Sequence, residues 1–358
     1  MKIGFDAKRY YHNRTGLGNY SRTLVDDMRR LFPENEYVLY DERSLKRTFM
    51  LGRTASRDGC DIYHGLSNEL PVYLAKRRGL KTVVTMHDIC WKTYPDMYHT
   101  FDRHMYDRKY GRSCRKADRV VAISESTKRD VMHYYGVPEE RIDVIYQPVQ
   151  KFFYTPMTAI EADALIHESL PLLPKDYVLY VGSINARKNL MAVVKALALI
   201  PKDQRPMLLV VGNGREYRRK VEQYVYSHGL RDSVMIESNI YNNRLLQALY
   251  RQARVFLYPS FYEGFGLPVV EAALQHTPVI TTTVSSLPEA AGPDACLIDP
   301  NSSDAVEILL DYMKRLLTDD AYNESVATRM EQYARRMFAP DTLTRQMVEL
   351  YGRVKNSE

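Results

Sequence analysis

Short runs of consecutive apolar residues recur along this chain, and between them apolar positions fall every third or fourth residue. The first pattern predicts buried strands and the second predicts helices with one face on a core. In the first half the strand pattern covers residues 2–6, 37–41, 61–64, 81–86, 119–123 and 142–145. The helix pattern covers 19–31, 101–117 and 126–135. The second half repeats the alternation, with strands at 177–182, 207–212, 234–237, 255–258, 279–281 and 296–298. Its helices fall at 190–199, 216–228, 244–251 and 268–275. Strands alternating with helices predict parallel sheets covered on both faces, and two such series predict two doubly wound α/β domains.

The alternation breaks between the two series, where Pro148, Pro156, Pro171 and Pro174 surround a short helical piece at 159–169. We therefore expect a first domain over 1–146, a linker over 147–175 and a second domain over 176–340. A last helix follows Pro340, with Leu343, Met347, Leu350, Tyr351 and Val354 on one face. Over 341–358 it is expected to pack back on the first domain.

Composition narrows the class without choosing a partner. The chain has 358 residues, 45% hydrophobic and 26% charged, with no apolar run long enough to span a membrane. It opens directly on a strand, with no leader pattern, so a cytoplasmic location is expected. Cys60, Cys90, Cys114 and Cys296 are too scattered for a disulfide framework or a zinc site. The net charge of +6 suits an anionic substrate, an anionic membrane face or nucleic acid alike.

The candidate chemistry lies at predicted strand ends, where doubly wound folds bind ligands. Ser260-Phe-Tyr-Glu-Gly-Phe-Gly-Leu-Pro-Val-Val-Glu271 places Glu263 and Glu271 around a Gly-X-Gly turn that leads into a helix with proline in its first turn. The unpaired amides of a helix start suit a phosphate, and the flanking carboxylates suit sugar or ribose hydroxyls. Ser183-Ile-Asn-Ala-Arg-Lys-Asn-Leu190 puts Arg187 and Lys188 at the start of a helix, where the helix dipole disfavours cations unless an anion joins them. Thr15-Gly-Leu-Gly-Asn-Tyr20 follows the first strand and lets a backbone approach a ligand. It lacks a third glycine for a dinucleotide fingerprint, and no Gly-Lys-Ser/Thr follows for a P-loop. His87-Asp88 ends another strand. Gly212-Asn213-Gly214 reads as a turn, and Asn239-Ile240-Tyr241 reads as a loop able to take a flat ring. No histidine or carboxylate set has metal-ligand spacing.

In this order the motifs resemble family 4 of the retaining glycosyltransferases. That resemblance implies the GT-B fold, two Rossmann-like domains facing across a cleft. By position it implies that Arg187 and Lys188 hold the donor diphosphate and Glu271 the ribose hydroxyls. Glu263, with Gly264, Phe265, Gly266 and Leu267, matches the loop around the donor sugar, and Ser183 and Ile240 match further donor contacts. His87 matches the histidine beside the reacting sugar, and Gly16 and Gly18 match the loop near the phosphates. Catalytic roles are thus implied for His87, Glu263, Arg187 and Lys188. Gln147-Pro-Val-Gln150 departs from the Asn-Gly-Val-Asp found in many relatives at this connection.

The resemblance further implies a GDP- or UDP-linked donor with no cofactor and no metal, a glycan or lipid-linked acceptor, and no nucleic-acid partner. The opening resembles bacterial enzymes that add mannose to polysaccharide or O-antigen chains, which places GDP-mannose first. A GT-B phosphorylase or epimerase, or a non-catalytic glycan-binding module, are the alternatives. Residues 98–119 carry seven cations interleaved with Tyr98, Phe101, Tyr106 and Tyr110. Such a segment suits an anionic membrane face, so peripheral contact at the inner membrane surface is expected.

Overall fold

The computed structural model describes every residue except 14–15, 75–78, 241 and 358. Thr15 and Tyr241 of the motifs above therefore lie outside the described residues. The chain divides into two compact units, Met1–Gln150 with Phe338–Glu358, and Lys151–Met337.

The first unit holds a sheet of β1 (Lys2–Asp6), β2 (Glu36–Tyr40), β3 (Ile62–Gly65), β4 (Lys81–Met86), β5 (Arg119–Ala122) and β6 (Ile142–Val144). All pairings are parallel, in the order β2-β1-β3-β4-β5-β6. The sheet is covered on both faces, which is why β3 is buried at every position and β4 at every position but Lys81. The second unit holds β7 (Tyr177–Val181), β8 (Met207–Val211), β9 (Val234–Glu237), β10 (Val255–Leu257), β11 (Val279–Thr282) and β12 (Cys296–Ile298). Its order is β12-β11-β10-β7-β8-β9, again parallel. Strand order reverses between β1 and β3 in one sheet and between β7 and β10 in the other. The carboxyl ends of strands at such reversals form the ligand crevice of this fold class.

Several expectations change. The stretch 147–175 is not a free connection: from Lys151 onward it belongs to the second unit. Its helix Ala159–Ser169 carries a Thr158/Glu161 capping box, and Gln252 reaches the Ala159 carbonyl at 3.0 Å. Helices Ala305–Thr318 and Asp320–Met337, absent from the sequence reading, follow β12. The last helix, Pro340–Asn356, buries Leu343, Met347, Leu350, Tyr351 and Val354 against Ile3, Phe5, Tyr20 and Leu24. Within that core His64 on β3 bonds the Tyr351 hydroxyl at 2.5 Å and Thr85 Oγ1 at 2.8 Å, and Tyr20 meets Thr85 at 3.0 Å. Burial holds His64 neutral, down at about 3. No helix among the described residues is long and apolar enough to cross a membrane.

Candidate active site

In the second unit the loops after β7 and β10, the two strands at the reversal, bring the charged residues together. Gly182 follows β7 at φ 153°, and the chain then turns through a single 3-10 turn, Ala186–Lys188. Asn185 caps that turn through its side chain, and Asn189 at φ 53° redirects the chain into the helix Leu190–Ala198. Arg187 and Lys188 thus sit on a separate turn ahead of the helix, not on the helix itself. The neighbouring loop explains Gly212 and Gly214: a Cβ on Gly212 would lie 1.9 Å from the Gly182 carbonyl oxygen, and one on Gly214 2.3 Å from that of Ile184. These glycines let two loops pack, and Ile184 pairs with Gly214.

Arg187 and Lys188 do not stand open as bare cations. Glu263 Oε1 lies 2.9 Å from an Arg187 guanidinium nitrogen and 2.9 Å from Lys188 Nζ. The Tyr258 hydroxyl donates to the same oxygen at 3.1 Å, and Lys188 Nζ sits 4.6 Å above the Tyr258 ring. Arg187 also donates to the Tyr262 carbonyl, and the Arg187 carbonyl accepts from Phe261 N at 2.8 Å. Each of these carboxylate contacts falls on Oε1. Burial alone would raise the Glu263 carboxyl, but Lys188 and Arg187 overcome it and hold it down at about 2. For Lys188 burial outweighs the pull of Glu263, and the ammonium lies below its usual range.

The loop beyond is held from behind. Ser285 Oγ accepts from Glu263 N at 3.0 Å, and Ser286 Oγ donates to the carbonyls of Glu263 and Phe265 at 2.8 Å each. Gly266 enters the helix Leu267–Leu274 at φ 110°, a backbone shape that favours glycine. With the carbonyls turned back, Gly266 and Leu267 present amides that hold no bond to a described residue. Glu271 lies one turn into this helix, where its Oε2 accepts from the Tyr250 hydroxyl at 3.0 Å. Burial lifts its carboxyl to about 7, against the pull of Tyr250 and Lys188. Two glutamates eight residues apart are thus set in opposite senses, Glu263 fully ionised and Glu271 near its midpoint at neutral pH. Ser183 is exposed on the β7 loop, and Ile240 is half-buried after β9.

The first unit holds the other candidates. Gly16 and Gly18 do not precede the helix; they form its first turn, Gly16–Leu31. A Cβ on Gly18 would lie 1.8 Å from the Asn13 carbonyl oxygen, so this glycine permits a close backbone crossing. Space around Gly16 is open, and its carbonyl accepts a long bond, 3.5 Å, from Gln147. His87, at the end of β4, is buried. Its Nε2 donates to the Leu66 carbonyl at 2.9 Å, and its backbone N–H donates to Asn68 at 2.7 Å. The carbonyl partner places the ring proton on Nε2 and leaves Nδ1 as an acceptor. Burial first, with Arg9 acting in the same sense and the Leu66 carbonyl against it, holds His87 down at about 4. Asp88 turns back on its own loop, accepting from Cys90 N at 3.2 Å.

The segment 98–119 is corrected in part. Tyr106 and Tyr110 stack on each other and pack on buried Trp91, so they belong to the core and not to a lipid-facing surface. Lys109 pairs with Glu69, and Arg112 donates to the Val72 carbonyl. Among the residues left outward are Phe101 and Met105, at 78% and 42% exposure, with Arg108, Arg115 and Lys116, and Met97 just ahead of the segment is 39% exposed. Among the described residues no group of three histidine, cysteine or acidic side chains is placed to hold a metal.

Sequence reasoning missed Tyr250, Tyr258, Ser285, Ser286 and Arg9. The tyrosines sit inside apolar runs and read as core, and single serines and a lone arginine carry no motif.

Two parallel Rossmann-like sheets, each with its strand-order reversal, define the GT-B architecture. Residues 163–337 match the model of the glycosyl transferases group 1, and residues 16–150 match that of glycosyltransferase family 4. The O-antigen chain mannosyltransferase B of Escherichia coli is 31% identical over 300 residues, which span 83% of this chain and 76% of that protein. Serotype-specific mannosyltransferase WbdA, also of Escherichia coli, is 30% identical over 268 residues, 72% of this chain but only 32% of that longer protein. Among solved structures, Anabaena Alr3699/HepE in complex with UDP-glucose superposes with a TM-score of 0.76 at 17% identity, covering 99% of this chain and 100% of that one. The chain belongs to the family 4 glycosyltransferases.

Proposed function

We propose that this enzyme transfers a hexose, mannose from GDP-mannose in first place, to a glycan or lipid-linked glycan acceptor in cell-surface polysaccharide synthesis. The transfer retains the anomeric configuration and needs no divalent metal. The observation that carries this reading is the Arg187–Lys188–Glu263 cluster beside the amides of Gly266 and Leu267, at the strand-order reversal of the second sheet. Breaking the bond from the anomeric carbon to the diphosphate leaves negative charge on phosphate oxygen. Two preorganised cations and a helix start suit that charge and supply the neutralisation a metal provides elsewhere. Glu271 suits the ribose hydroxyls, and Glu263 Oε2 suits a sugar hydroxyl. Neutral His87 offers Nδ1 to a hydroxyl of the reacting sugar. Retention follows if the acceptor oxygen attacks from the face the phosphate leaves, its proton passing to the departing phosphate oxygen. Double displacement needs a free nucleophilic carboxylate beside an acid, and Glu263 is instead engaged by Arg187, Lys188 and Tyr258.

Mannose as the sugar is supported by the mannosyltransferase names of the two Escherichia coli relatives. Exposed Met97, Phe101 and Met105 beside Arg108 suit an anionic bilayer, where a lipid-linked acceptor resides. Thermal melting with GDP, UDP and ADP tests the donor. The reading expects GDP to raise the midpoint most, since only a ligand of the folded state stabilises it. A response to none of the three contradicts the assignment.

A further inference from the structure

Arg9 lies on the short helix Lys8–His12, directly after β1 and beside the strand-order reversal of the first sheet. Although the residue as a whole is half-buried, its Nε is buried and has no hydrogen-bond partner among the described residues. The acid that ends β1, three residues before it, is already taken: Asp6 is paired with Arg47 through contacts of 2.6 and 3.1 Å. The residue is also held in place. Gly18 packs on this segment so closely that a Cβ would lie 3.1 Å from the Arg9 carbonyl oxygen. The Arg9 charge reaches His87 and Tyr110, lowering the affinity of the first for a proton and favouring the ionised form of the second. A buried guanidinium nitrogen without a partner is costly and rare, and an anion relieves it.

We infer that Arg9 is an anion-binding residue of the first unit that takes a phosphate group of a substrate. A guanidinium offers paired donors matched to phosphate oxygens, which an ammonium does not. The phosphate has two possible carriers, the nucleotide-sugar or a lipid-diphosphate-linked acceptor. Only that choice rests on the transfer reading; the anion site itself does not.

The test follows the Arg9 Nε–H resonance, assigned by its loss in Arg9→Lys, while inorganic pyrophosphate is titrated into the full chain. A saturable shift is expected. No shift with pyrophosphate, GDP or a lipid-diphosphate acceptor overturns the inference. Kinetics of Arg9→Ala then identify the carrier. A Kd for GDP raised roughly 10- to 100-fold assigns the nucleotide. An acceptor KM raised by the same factor, with unchanged GDP affinity, assigns the acceptor. Arg9→Lys should recover part of either loss, which a purely structural arginine would not require. If the wild type transfers no sugar while the resonance still shifts, the transfer reading fails and the anion site stands. Normal GDP affinity together with normal acceptor KM in Arg9→Ala overturns the site.

Discussion

Replacing Glu263 by glutamine removes the carboxylate that binds Arg187, Lys188 and Tyr258 through one oxygen, while its volume and its loop remain. Its carboxyl is held at about 2 against an ordinary value of 4.5. That shift corresponds to about 3 kcal/mol of stabilisation at neutral pH. Glutamine leaves the charges of buried Lys188 and half-buried Arg187 uncompensated, so we expect a net loss of about 3 kcal/mol. For a protein of this size that lowers the melting midpoint by roughly 3–4 °C. The sign with pH is also fixed. A depressed carboxyl stabilises above its unfolded value, and this contribution disappears as pH falls from about 4.5 toward 2, so the gap between wild type and variant should close in that window. The ligand behaves in the opposite way. With one negative charge gone and both cations kept, the variant should bind a nucleoside diphosphate at least as tightly as the wild type. Turnover should still fall, because the cations lose their fixed positions. Denaturant titration at pH 7 and pH 3, with calorimetry against GDP, measures all of this. Unchanged stability at pH 7, or GDP affinity lost as completely as in Arg187→Ala, would refute the argument that Glu263 clamps the two cations.

Other consequences can be checked alongside. Glu271 is lifted to about 7, so above its unfolded value of 4.5 rising pH should destabilise the fold up to about 7. If its ionised form receives the ribose hydroxyls, nucleotide-sugar affinity should rise through pH 7, and Glu271→Gln should flatten both trends. Activity should persist in excess chelator, and loss on chelation with recovery on adding magnesium or manganese would contradict the metal-free reading. Phosphatidylglycerol vesicles should sediment the protein at low salt, and Phe101→Glu with Arg108→Glu should abolish this. Sedimentation unaffected by those changes would remove the membrane role from this face.

Both Rossmann-like sheets were legible because a strand covered on two faces leaves an unbroken apolar run, as in Val178, Leu179 and Tyr180 of β7. The helix Asp320–Met337 was not. Its buried face is Val326, Ala327, Met330 and Ala334, a narrow stripe in a charge-rich segment. The motif between Ser260 and Glu271 announced a strand-to-helix turn, and Gly266 occupies the backbone shape that turn requires. What the motif did not announce was occupancy: Arg187 and Lys188 look like a bare anion site in one dimension, yet 75 residues on Glu263 returns to hold Lys188. Cations interleaved with aromatic residues suggested a lipid-facing segment at 98–119, but Tyr106 and Tyr110 face Trp91, a pairing that only tertiary packing decides. The hydrogen bond from Tyr351 to His64 joins positions 287 residues apart, beyond any local pattern.

The central claim is that Arg187, Lys188, Glu263 and Glu271 serve sugar transfer from a nucleotide. Incubation of the purified chain with GDP-mannose and a lipid-linked glycan acceptor, without added metal, tests it most directly, with the new linkage read by its anomeric one-bond carbon–proton coupling. The account predicts an α-mannoside from the α-linked donor, and a turnover reduced in Arg187→Ala by roughly 30- to 1,000-fold. A β-linked product, or transfer at the wild-type rate by Arg187→Ala, would contradict it.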